Sequence, residues 1–165
     1  MWTKSTLLTL AAATLAASPA FAQPAPAYTL VPVAERLSFG DVFANAGAPV
    51  QAMMTLLILG AVASPAVWAL ALPQVGRADA KGLARSLGWL RIVRSAAALL
   101  GFFAASYTLL AMFLGIANTR PAPSLTLLAP GFAEATLAIM LGLLAATIAV
   151  IAERHLEARV RRAAA

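Results

Sequence analysis

Past residue 49 the chain alternates between long apolar runs and short polar ones. The apolar runs are Val50 to Leu72, Ser95 to Ala117 and Leu127 to Ala152. At a rise of 1.5 Å per residue, about 20 residues cross the ~30 Å hydrocarbon core of a bilayer. The pattern therefore predicts transmembrane helices at 50–72, 95–117 and 127–152. The first run holds Thr55, Ser64 and Pro65 but no charge, and Pro65 is expected to bend it. The second is uncharged. The third contains a single acid, Glu134.

A shorter apolar stretch opens the chain. Lys4, the run from Leu7 to Ala17, and Ala20-Phe21-Ala22 ahead of Gln23 have the layout of a secretory signal peptide over residues 1–22. An uncleaved N-terminal anchor is the other reading of that stretch. In the periplasmic segment 23–49, three prolines precede LSFGDVF. There Leu37, Phe39, Val42 and Phe43 fit one face of a short helix on the membrane surface, or an ordinary linker.

Composition fixes the solvent. Of 165 residues, 62% are hydrophobic and 11% charged, against about 25% charged in soluble domains. The expected fold class is an all-α membrane protein with three transmembrane helices. No cysteine is present and His155 is the one histidine, which removes thiol chemistry and leaves no His/Cys cluster for a metal. With no Gly-rich phosphate loop and no paired-carboxylate constellation either, enzyme activity is not expected.

The net charge of +6 changes the picture only through its distribution. The expected loop 73–94 carries Arg77, Lys81, Arg85, Arg91 and Arg94 against Asp79. Residues 153–165 carry Arg154, Arg159, Arg161 and Arg162 with Glu153 and Glu157. By contrast, 118–126 hold only Arg120, and 23–48 hold Arg36 against Glu35 and Asp41. The positive-inside rule then places 73–94 and the tail in the cytoplasm, giving an N-out, C-in chain. These cations suit anionic lipid headgroups. Nucleic acid is not expected, since Trp89 alone among the basic stretches offers an aromatic stacking surface.

Glu134 is the candidate with chemistry. It lies on the side of the third span that also presents Gly131, Ala135, Ala138, Gly142, Ala145 and Ala149. The second span has a matching face of Gly101, Ala104, Ala105, Thr108, Ala111 and Gly115. Small residues let helix backbones approach closely in lipid, so Gly101, Ala105, Gly131, Ala138 and Gly142 are expected packing residues. Three spans bury little surface, and an oligomer is expected. An ionised acid at mid-bilayer costs about 2.5–3.5 kcal/mol and commonly marks an ion path or a partner contact. The alternative is that Pro130 opens the helix, leaving Glu134 one turn inside, where the helix dipole favours an acid.

The stretch APGFAEATLAIMLGLLAATIAVIAE resembles the last transmembrane helix of the ExbB/TolQ branch of the MotA/TolQ/ExbB proton-channel family. The similarity lies at Pro130, Gly131, Ala133, Glu134, Ala135, Gly142 and Leu143. The preceding helix is similar to the family's at Leu99, Leu100, Gly101, Phe113, Gly115 and Ile116, and the whole resemblance runs from about Leu37 to Arg159. It implies a bacterial inner-membrane homo-oligomer around an ExbD/TolR-like single-span partner. Protons, or sodium, would be the coupling ion, with no other cofactor. Glu134, Thr136, Ser106 and Thr108 would line the ion pathway. Four features depart from the family: 73–94 is short where a large cytoplasmic domain is usual, Ala105 and Ile139 stand at pore-threonine positions, and Ala98 stands where the family has a proline before the second helix's glycine. They keep a second reading in play, a non-conducting scaffold that holds a partner's transmembrane helix.

Overall fold

The computed structural model describes residues 36–77, 79–121 and 123–163. The expected signal peptide and residues 23–35 lie outside them. Among the described residues every regular element is helical: α1 (Phe39–Asn45), α2 (Ala48–Gly76), α3 (Ala80–Ala117) and α4 (Leu125–Ala163). The last three are each long and apolar enough to cross a membrane, so the protein is an all-α chain with three candidate spans.

Local sequence explains where the first three helices start. Ser38 opens α1 with a reciprocal cap. Its hydroxyl accepts from the Asp41 amide at 3.2 Å, and the Asp41 carboxylate accepts from the Ser38 amide at 3.0 Å. Pro49 sits in the first turn of α2, where a missing N–H costs nothing. At the start of α3 the Asp79 carboxylate accepts from the Gly82 amide at 3.1 Å. Helix α2 runs unbroken through Pro65 and Pro73. Beside the first proline, buried Ser64 donates to the Gly60 carbonyl at 2.7 Å.

The helices outrun their apolar cores. Residues 80–94 belong to α3, and 153–163 continue α4. The basic stretches are thus helical arms on the spans, joined between α2 and α3 by a connection of only 77–79. At 39 residues, α4 is about 58 Å long, well beyond the hydrocarbon core.

The tightest packing joins α3 to α4. Gly101, Ala104, Ala105 and Thr108 are buried against Ala135, Ala138, Gly142, Ala145 and Ala149. At the crossing the backbones touch. A methyl group added at Gly142 would lie 2.8 Å from both the Gly101 Cα and the Ala97 carbonyl oxygen, and one at Gly101 would lie 2.9 Å from the Gly142 Cα. Only glycine fits there. Gly131 is looser, its nearest neighbour being the flexible Met112 sulfur. The α3 small face ends at Thr108, since Ala111 and Gly115 are exposed. Helix α2 lays Val50, Met54 and Leu57 against this pair.

Most of the apolar surface points away from this core. Only 17–33% of each span's most apolar window is buried, and Phe102, Phe103, Leu110 and Phe113 are exposed. That surface suits lipid or neighbouring helices.

Candidate functional site

Glu134 is held between α3 and α4 by the small-residue packing just described. It is half-buried, next to Ala135 and one turn from Ala138, both buried. Its Oε1 accepts a hydrogen bond from the Thr108 hydroxyl at 3.3 Å. That hydroxyl also lies 3.2 Å from the Ala104 carbonyl oxygen of its own helix. One proton is shared between two long contacts, so the carboxyl is weakly held. No Lys, Arg or His forms an ion pair with Glu134 among the described residues.

The position of Pro130 resolves an alternative left open by the sequence. Helix α4 begins at Leu125, so Pro130 lies inside the helix and not at its first residue. Glu134 is nine residues beyond Leu125, about 13 Å along the axis. At that distance the first-turn dipole effect has faded, and the acid is deeper than an entrance position.

Of the four residues expected on an ion pathway, the structure brings two together: Glu134 and Thr108. Ser106 and Thr136 are exposed and bonded within their own helices. Ser106 donates to the Phe102 carbonyl at 2.8 Å and Thr136 to the Phe132 carbonyl at 2.7 Å. Two residues along a helix is a turn of roughly 200°, so Ser106 leaves the Thr108 face and Thr136 leaves the Glu134 face. Thr136 instead borders an open cleft of about 730 Å³ with Pro130 and Ala133 of α4 and Phe39 and Val42 of α1. Among the expected packing residues, Gly101, Ala105, Ala138 and Gly142 are buried and Gly131 is half-buried.

A second polar cluster, absent from the sequence reading, lies where α3 and α4 leave their apolar runs. Glu153 is 2% exposed, and its two oxygens take Arg91 Nε at 3.0 Å and Arg94 Nη1 at 2.9 Å. Arg91 Nη2 also reaches Glu157 at 3.3 Å. Alongside, Trp68 Nε1 of α2 donates to His155 Nδ1 at 2.9 Å. The signal was present as two arginines three apart before one span and an acid just after another. Treating 73–94 as a loop hid it.

A sequence model of the MotA/TolQ/ExbB proton channel family matches residues 48–165. The match takes in α2, α3 and α4 whole, with Glu134 and both polar clusters. No individually curated protein matches the chain.

Proposed function

The chain belongs to the MotA/TolQ/ExbB proton channel family, and from that premise we propose that it is an ExbB/TolQ-like subunit of an energy-coupling complex in a bacterial inner membrane. In this reading it sits N-out, C-in, and assembles with copies of itself around the transmembrane helix of an ExbD/TolR-like partner. Glu134 is the group that takes up and releases the coupling ion, protons first and sodium second. The observation that carries this is the acid's company: one shared threonine hydroxyl and no cation, inside an apolar helix pair. A proton crossing the full field gains about 2.3 kcal/mol per 100 mV, enough to drive a neighbouring helix. The outward hydroxyls of Ser106 and Thr136 are then contacts offered to adjoining helices rather than to Glu134 of the same chain.

The test is ion flux through the complex purified in gentle detergent and reconstituted with its co-purifying partner. Wild type is expected to pass protons under an imposed potential, and Glu134→Gln to fall to background while the complex stays assembled. The second reading, a scaffold that holds a partner helix without conducting, is favoured by Ala105 and Ile139, which offer no hydroxyl. It predicts no flux in wild type and an assembled, functional complex with Gln at 134.

A further inference from the structure

The basic end of the molecule carries more cations than its acids can pair. Glu153 is taken by Arg91 and Arg94, Glu157 by Arg91 and Arg154, and Asp79 caps α3. Arg77, Lys81, Arg85, Arg159, Arg161 and Arg162 are left without an ion pair among the described residues. Two of them are brought to one place. Arg159 and Arg162, three apart on α4, share a face and border an open groove of about 450 Å³. Its other walls are Leu72, Val75 and Gly76 at the end of α2, with Ala163. At Gly76 the space above the backbone is empty. Arg161 lies elsewhere, beside Leu87, Glu157 and Val160.

We propose that this groove binds the headgroup of an anionic phospholipid, with Arg159 and Arg162 on the phosphate and Leu72 and Val75 against the first carbons of the lipid. Depth and chemistry agree. Leu72 closes an apolar run, and Arg159 is seven residues past Ala152, about 10 Å along α4. A headgroup layer is about 5–8 Å thick on each side of the hydrocarbon, so the flexible guanidiniums reach back into it. Two guanidiniums suit bidentate contacts to phosphate oxygens. A zwitterionic headgroup would bring its own ammonium into a field of unpaired cations, so the anionic lipid is preferred. Nucleic acid is disfavoured by walls of Leu, Val, Gly and Ala, which offer no stacking surface. This site stands whether or not the protein conducts.

The experiment is native mass spectrometry of the full chain, with any subunits that remain attached, in mild detergent. It is titrated with phosphatidylglycerol, phosphatidylcholine or inorganic phosphate. Phosphatidylglycerol is expected to be retained over phosphatidylcholine, with retention dropping about tenfold in Arg159→Gln/Arg162→Gln. The equal charge change Lys81→Gln/Arg85→Gln, placed off the groove, is expected to leave most retention intact. Arg159→Lys/Arg162→Lys should restore part of the binding and guards against loss through misfolding. Equal losses in the two glutamine pairs would make the effect one of diffuse surface charge and overturn the site. Equal retention of phosphatidylcholine would overturn the anionic preference, and displacement of the lipid by inorganic phosphate would reduce the groove to a simple anion site.

Discussion

Two acids of α4 lie nineteen residues apart, and the protein treats them oppositely. Glu153 is the more buried and is fully countered: two guanidiniums meet its two oxygens within 3.0 Å. Glu134 is half-buried, with one hydroxyl at 3.3 Å and no cation paired to it among the described residues. Charge-assisted hydrogen bonds from two guanidiniums to one buried carboxylate fasten α4 to α3. The Glu134 carboxyl has a neutral partner, Thr108, and adds little to the hold between the two helices. The difference separates an acid that holds the helices together from one that contributes little to holding them.

Breaking the comparison starts with Glu153. Glu153→Gln leaves Arg94 without an acid and Arg91 with Glu157 only, and is expected to cost about 2 kcal/mol, seen as a lower melting temperature in detergent. That figure is below the usual 3–5 kcal/mol for a broken buried pair, because the guanidiniums are 57% and 40% exposed and regain water. A cost no larger than that of Glu134→Gln would erase the distinction. The glycine crossing that fixes both acids on one helix pair comes next. Gly142→Ala forces backbone atoms apart and should cost about 1–3 kcal/mol in the same melt. Gly131→Ala, against a yielding Met112 side chain, should cost far less.

Thr108→Val probes the weaker acid. It removes the hydroxyl from Glu134 and is expected to cost about 1 kcal/mol or less, while slowing ion flux in the reconstituted complex. Glu134→Gln should be milder still for stability, since a glutamine oxygen accepts from Thr108 as the carboxylate did; an unfolded variant would show that the carboxylate itself holds the pair. The smallest effect belongs to α1. Hydrogen bonds from the Ser38 hydroxyl and amide hold the exposed Asp41 carboxyl below the usual aspartate range. Its support for α1 is therefore complete above that range and is lost as pH falls through the lowered folded value. Protection of the α1 amides, measured against their intrinsic exchange at each pH, should fall only on acidification, and Asp41→Asn should remove that dependence.

Sequence alone determined the broad architecture, because it follows from composition and period. Twenty-residue apolar runs have few alternatives in lipid, where every backbone group must bond within its own helix. The small faces of the second and third spans were equally legible: Gly101, Ala105, Ala138 and Gly142 stand on them at helical spacing, and all are buried. Glu134 stood out because an acid in an apolar run has no cheap explanation. What required the tertiary structure was distance between elements. The Thr108 contact joins residues 26 apart, and the Arg91–Glu153 contact residues 62 apart. Neither separation has a period to read, and the second was masked by assigning arginines to a loop that is a helical arm. The start of α4 at Leu125, which sets Glu134 more than two turns inside, was likewise decided in three dimensions. Pro130 is tolerated within the helix because the missing N–H is one bond lost among many, a balance that local sequence rules do not weigh.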